Sequence, residues 1–202
     1  MNLTKITSPI LIGELREKAA LSDEEIDLYL SFLRVRYIGK KEHFLVAGEI
    51  CTDIAYVNKG CLRRYIMDEH SKETILNFAL EDYWTGDLES FVNQIPSIYY
   101  VQALEQCELL LISRENFRRA NEEIPKFKVF HDDKVRRNHY SALKRLSIAK
   151  SATPEEKYIS LMNEQPQLFQ RIPLHYIASY LGIEPESLSR LRKRIVIKPH
   201  IS

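Results

Sequence analysis

Cysteine is scarce and unpaired in this chain of 202 residues. Cys51, Cys61 and Cys107 are odd in number, widely spaced and without a CxxC pair, so they indicate neither a disulfide framework nor a zinc or iron–sulfur site. Buried free thiols are the reading they support. Long apolar runs are missing too: none approaches the roughly 20 residues that a membrane-spanning helix needs. The first residues also lack a basic segment leading into an apolar signal core. The expectation is a cytoplasmic protein with no membrane contact. His43, His70, His131, His139, His175 and His200 are scattered, with no HxH pair among them, so no metal or haem cofactor is expected. No Ser/His/Asp spacing marks a nucleophile either.

What is present is an ordinary globular composition, 45% hydrophobic and 28% charged, long enough to bury a core as one large domain or two small ones. The net charge of +1 conceals an asymmetry. Residues 126–202 hold 15 Lys and Arg against 7 Asp and Glu, or +8, leaving 14 against 21, or −7, in residues 1–125. A basic carboxy-terminal part is drawn to a polyanion, although a solvated basic helix would carry the same charge.

Ser22, followed by Asp23, Glu24 and Glu25 and then by Ile26, Leu30 and Leu33 at helical spacing, predicts a capped amphipathic helix. From about residue 35 to 113 the pattern turns to short apolar runs at 36–38, 54–57, 62–66, 74–80, 99–104 and 109–112, punctuated by Gly39, Gly48, Gly60 and Gly86. Many short strands at such spacing predict an antiparallel barrel or roll. Beyond Arg114 the signal is helical. A long helix over residues 124–150 carries Val135, Ala142, Leu146 and Ala149 on one stripe, interrupted by Asn138 and His139. The stripe suits either pairing with a second subunit or packing on the chain's own roll. Thr153 then caps a further helix, with Pro154 and Glu155 in its first turn, running to about Asn163.

The segment 173–194 is the most informative. Leu174, Ile177 and Leu181 share one helical face, with small Ala178 where a crossing helix can approach, and Gly182 supplies a left-handed end. Pro185 suits the first turn of a second helix, whose Leu188, Leu191 and Ile195 face the first. Outward on that second helix remain Glu186, Ser187, Ser189, Arg190, Lys193 and Arg194. Arginine can donate a bidentate pair to guanine, a carboxylate can accept from cytosine, and serine reads flexibly, so this face suits a DNA major groove. A plain helical hairpin would need only the periodicity; here Ile177, Ala178, Leu181, Gly182, Leu188 and Leu191 meet the constraints of a helix-turn-helix together.

With these residues in view, the chain resembles the Crp/Fnr family of transcription regulators over nearly its whole length. Residues 44–49, 56–60 and Arg63 look like the opening strands of a cyclic-nucleotide-binding β-roll. Gly86, Asp87 and Leu88, through Pro96 to Ala103 and Leu104, are similar to the family's phosphate-binding cassette. Gly182 through Arg190 resembles its recognition helix, with Glu186 and Arg190 at matching positions. The resemblance implies an α+β architecture: an antiparallel β-roll sensor domain with an amino-terminal helix (1–123), a dimerisation helix (124–150) and a winged helix-turn-helix (151–202). It further implies a homodimer that binds near-palindromic double-stranded DNA and contacts RNA polymerase.

One departure bears on the effector. Where family members that bind cyclic nucleotides have an acidic residue for the ribose and an arginine followed by serine or threonine for the phosphate, this chain has Asp87, Ser97 and Ile98. A buried phosphate without its cation loses charge-assisted hydrogen bonds of roughly 1.5–3 kcal/mol each. Gly86, Asp87, Leu88, Ser97 and Ile98 are therefore read as a degenerate effector pocket, unresponsive to cyclic AMP, with the effector unidentified. Ile98, Tyr99, Trp84 and Phe91 suit core packing better than an apolar pocket. The alternatives are a regulator that responds to a cyclic nucleotide or another small molecule and, from other classes, a β-barrel metalloenzyme of cupin type or a ligand-binding module without DNA binding.

Overall fold

The computed structural model describes residues 6–197, without the side chains of residues 137–139, 141–142, 144–151 and 195–197. Two helices, α1 (Pro9–Glu17) and α2 (Asp23–Ser31), precede eight strands: β1 (Leu33–Ile38), β2 (His43–Leu45), β3 (Asp53–Lys59), β4 (Leu62–Met67), β5 (Glu73–Ala79), β6 (Trp84–Thr85), β7 (Tyr100–Ala103) and β8 (Cys107–Ser113). A short helix, α3 (Leu88–Asn93), lies between β6 and β7, and α4 (Arg114–Glu123), α5 (Pro125–Ser151), α6 (Pro154–Glu164), α7 (Leu168–Arg171), α8 (Leu174–Leu181) and α9 (Pro185–Ile197) follow. The chain forms two compact units, one from residues up to Ile66 with Leu76–Arg137, the other from Met67–Ile75 with Asn138 onward. In the second unit, the Ser179 hydroxyl on α8 donates to the Glu73 carbonyl (3.2 Å) and accepts from the Ile75 N–H (3.1 Å).

In the first unit the strands make two four-stranded sheets, ordered β1-β8-β3-β6 and β2-β7-β4-β5, with antiparallel pairing in each. This is the expected roll. Strand β8 shows why the run at 109–112 has no polar alternation. Leu109 and Leu111 join a core with Leu62, Val101 and Phe91, while Leu110 and Ile112 join another with α1, α2 and the start of α5. A strand covered on both faces must be apolar throughout. Gly60, at φ +107°, sits where a Cβ would fall 2.6 Å from the Cys107 sulfur, so the β3–β4 turn and this close approach both require glycine.

The first helical expectation is corrected at its end. Ser22 caps α2 through a reciprocal capping box with Glu25 (Glu25 N to Ser22 Oγ 3.2 Å, Ser22 N to Glu25 Oε2 2.8 Å). The helix stops at Ser31, however, and Leu33 opens β1, where it pairs with Ile112 of β8; sheet pairing outweighs the helical spacing there. Helices α1 and α3 were not foreseen. Ile124, between α4 and α5, and Phe127, in the first turn of α5, are buried in the core shared with α1 and α2. Farther along, Val135 and Leu143 are exposed, 39% and 49%. The stripe residues Ala142, Leu146 and Ala149, and the interrupting Asn138 and His139, lie outside the described side chains.

Helix α6 begins as expected, with Thr153 Oγ1 accepting from Glu156 N (3.3 Å) and Glu156 Oε2 accepting from Thr153 N (2.7 Å). A wing following α9 would fall beyond residue 197, outside the described residues. Among those described, no helix is long and apolar enough to cross a membrane, and no three His, Cys, Asp or Glu side chains could hold a metal ion.

Candidate functional site

Two sites follow from this frame, one in each unit. In the second unit, α8 ends on Gly182 in the left-handed conformation (φ +66°, ψ 37°), with Gly182 N–H donating to Ser179 O (3.1 Å) and Ile183 N–H to Ala178 O (2.9 Å). These bonds satisfy carbonyls that the helix end would otherwise orphan. No neighbouring atom crowds a Cβ at Gly182, so conformation alone selects glycine there. Pro185 then starts α9, and Ile177, Ala178 and Leu181 of α8 are buried along with Leu188 and Leu191 of α9.

With that face buried, α9 turns its opposite face to solvent. Glu186, Arg190, Lys193 and Arg194 are exposed, and Ser187 and Ser189 are half-buried. At about 100° per residue, Glu186, Ser189, Arg190 and Lys193 lie nearest the outward direction. Arg190 Nη2 donates to Ser187 Oγ (3.2 Å), a weak tether that leaves most of its donors unused. Arg194 instead pairs with Glu155 of α6 (2.6 Å). Arg192, exposed on the flank, was missed in the sequence because its apolar neighbours Leu191 and Ile195 make it look like part of the packed face.

In the first unit the cassette spends its polar groups on its own architecture. Asp87 is buried, and its Oδ1 accepts from Glu89 N (3.1 Å) and Ser90 N (3.3 Å), capping α3. Ser97 is buried as well. Its N–H donates to Glu49 O (2.8 Å), its carbonyl accepts from Gly48 N (2.7 Å), and its hydroxyl accepts from Tyr99 N (3.0 Å). Gly86, at φ +141°, holds a conformation that favours glycine, and a Cβ there would press on Ile54 Cδ1 at 2.9 Å. Residues 86–98 contain no Lys, Arg or His. Leu88 is exposed, and Ile98, expected in the core, stands 66% exposed because the Ser97 turn throws it outward. Phe91 is core and Trp84 packs edge-on to Tyr56 (5.3 Å between ring centroids). Arg64 on β4, unremarked in the sequence, reaches the cassette by donating to the Gly86 carbonyl (3.3 Å). Arg63, its neighbour, faces the other way, bonded to Gln102 (2.9 Å) and lying over the Tyr65 ring.

Cys51, Cys61 and Cys107 are buried and form no disulfide. Burial pushes the Cys51 thiol up and that of Cys107 up to about 11, so neither is a thiolate near neutral pH.

The family model for the cyclic nucleotide-binding domain matches residues 35–123. The cAMP-activated global transcriptional regulator CRP of Salmonella typhimurium is 28% identical over 97 residues, covering 48% of this chain and 46% of that protein. Its counterpart in Haemophilus influenzae is 25% identical over 128 residues, covering 63% and 56%. The chain thus aligns with about half the length of these relatives. Among solved structures, the c-di-GMP responsive global regulator CLP of Xanthomonas campestris superposes with a TM-score of 0.70 at 14% identity, covering 87% of this chain and 92% of that one. FixK2 of Bradyrhizobium japonicum gives 0.69 at 15%, covering 82% and 85%. At such identities the structural likeness speaks for the fold, and it extends over both units. Residues 35–123 thus match the cyclic nucleotide-binding domain family, and the fold of the described residues is similar to that of these solved regulators.

Proposed function

We propose that this chain is a sequence-specific, DNA-binding transcription regulator that works as a cytoplasmic homodimer and does not take cyclic AMP as its effector. The carrying observation is α9, anchored by Leu188 and Leu191 against α8, with Glu186, Ser189, Arg190 and Lys193 turned outward. A helix so held can enter a major groove while the first helix of the pair crosses the backbone. Arg190 is the guanine-reading candidate, Glu186 reads cytosine on the same face, and Lys193, Arg194 and Arg192 serve phosphates. Val135 and Leu143, exposed on α5, favour pairing of two such helices, which would present two reading helices about 34 Å apart to a near-palindromic site. RNA polymerase is the further partner that this reading implies.

The exclusion of cyclic AMP rests on Ser97 and on a cassette without a cation. Selection of bound sequences from a random duplex pool, with sedimentation of the protein alone and on the selected DNA, tests the reading. A palindromic consensus bound by a dimer is expected. Absence of enrichment, or a monomer on DNA, contradicts it. Calorimetry with cyclic AMP is expected to give no saturable heat, and a low-micromolar dissociation constant would refute that part alone.

A further inference from the structure

Strand β4 directs Leu62, Arg64 and Ile66 to one side, and the register sets Leu62 opposite Ala103 and Arg64 opposite Val101 on β7. Leu62, Ala103 and Val101 are all fully buried in the core between the sheets. Arg64 therefore stands on the inner face of the roll, half-buried, in a row of apolar positions. A cation in such a place is costly unless it is paired. Its Nε donates to Asn77 Oδ1 on β5 (2.9 Å), its Nη1 donates to the Gly86 carbonyl (3.3 Å), and its guanidinium lies 4.9 Å from the centre of the Tyr99 ring. These partners are all neutral, and among the described residues no carboxylate pairs with Arg64. By contrast, the more exposed Arg34 and Arg194 have found Asp53 (2.8 Å) and Glu155 (2.6 Å). A guanidinium offers five N–H donors in a fork matched to an oxyanion. Two are engaged here, one of them at a long distance.

The geometry points to a binding site for the oxyanion of a small effector, a carboxylate or a phosphate, centred on Arg64. The amide nitrogen of Asn77 supplies further donors and the Tyr99 ring forms one wall. This inference rests on the reading of the roll as an effector-sensing domain. It moves the anion contact from the cassette, where Ser97 offers no charge, to the facing sheet. Gly86 immediately precedes Asp87, the cap of α3, so an oxyanion that replaces the Gly86 carbonyl on Arg64 acts directly on the start of the cassette helix. A forked pair with an oxyanion supplies two short hydrogen bonds and a full opposite charge where the Gly86 carbonyl accepts one bond at 3.3 Å, which favours the exchange.

The test uses the full chain, with inorganic phosphate and succinate as probes against sodium chloride of matched ionic strength. Thermal melts and calorimetry are expected to show saturable binding of at least one probe, and which probe binds separates the phosphate source from the carboxylic acid. Arg64→Met, an unbranched apolar side chain for an inner apolar row, should weaken that binding by about tenfold or more, since it removes the charge-assisted pair. If that variant fails to fold, Arg64→Lys, which keeps the charge but loses the fork, reads the same loss. No response to either probe beyond the salt control, or an unchanged response in the folded variant, overturns the inference. So would saturable cyclic AMP binding that survives Arg64→Met. Binding of the wild-type protein to selected DNA is measured alongside. DNA binding without probe binding sinks this inference alone, whereas loss of DNA binding by the wild-type protein sinks the regulator reading.

Discussion

The two units of this chain carry their chemistry in opposite ways. In the roll, every element of interest faces inward: β8 is apolar on both faces, the cassette turns Asp87 and Ser97 into its own backbone, and Arg64 points between the sheets. In the helical unit, Ile177, Ala178, Leu181, Leu188 and Leu191 are buried, and the polar and charged side chains of α9 are what they leave outside. A site built on an exposed helix face is separable from the residues that fold it. A site built between two sheets is not, because the side chains that would meet a ligand also close the core.

The largest test of this contrast compares two leucines. Leu109→Ala in the roll and Leu188→Ala beneath α9 each remove a fully buried side chain, at a cost of roughly 2–5 kcal/mol. Trp84, the only tryptophan, lies in the roll and reports on that unit alone. Leu109→Ala should lower the denaturant midpoint of Trp84 fluorescence. Leu188→Ala should leave that midpoint in place while abolishing DNA binding. A common shift of Trp84 in both variants would show that the units unfold as one and would erase the distinction.

A smaller effect is expected at the start of α6. Thr153→Ala deletes one side of its capping box, which costs about 1 kcal/mol. Far-UV circular dichroism should detect an earlier helical transition without a change in Trp84 fluorescence. A matching shift in both signals would tie the cap to the roll.

The smallest expected effect belongs to the roll and is set by pH. Glu14 on α1 is buried, which pushes its carboxyl up, but ion pairs with Lys134 of α5 and Lys18 outweigh the burial and hold it below the usual carboxylate range. A folded-state value below the unfolded one stabilises the protein fully above the unfolded value, about 4.3. That stabilisation is lost as pH falls through the folded value. Denaturation followed by Trp84 should therefore weaken on acidification below about 4.3, and Glu14→Gln should flatten that slope. An unchanged slope would remove the Glu14–Lys134 pair from the account.

How much of this the sequence disclosed follows the same division. The helix pair α8 and α9 was legible in its bounds and its packed face, because periodicity, Gly182 and Pro185 are local signals, although exposed Arg192 was missed. The roll was legible as a class, from its short runs and glycines. Leu33 was misplaced because pairing with Ile112, 79 positions away by residue number, decides its state. Ile98 was misjudged because its exposure depends on a turn built by Ser97, Glu49 and Gly48. Arg64 passed unnoticed because only the register of β4 with β7 reveals that it faces inward. Neither pairing nor register has a signature in a single stretch of chain.

The central claim is that the outward face of α9 reads DNA, and the most direct measurement is a binding series with Arg190→Ala and Lys193→Ala on the selected duplex and its single-base variants at several salt concentrations. Arg190→Ala should cost roughly 1–3 kcal/mol on the preferred site and relax discrimination at one base pair of each half-site. Lys193→Ala should weaken all sequences alike and lower the salt slope by about one per half-site. An Arg190→Ala protein that stays folded and dimeric with undiminished base preference would contradict the account.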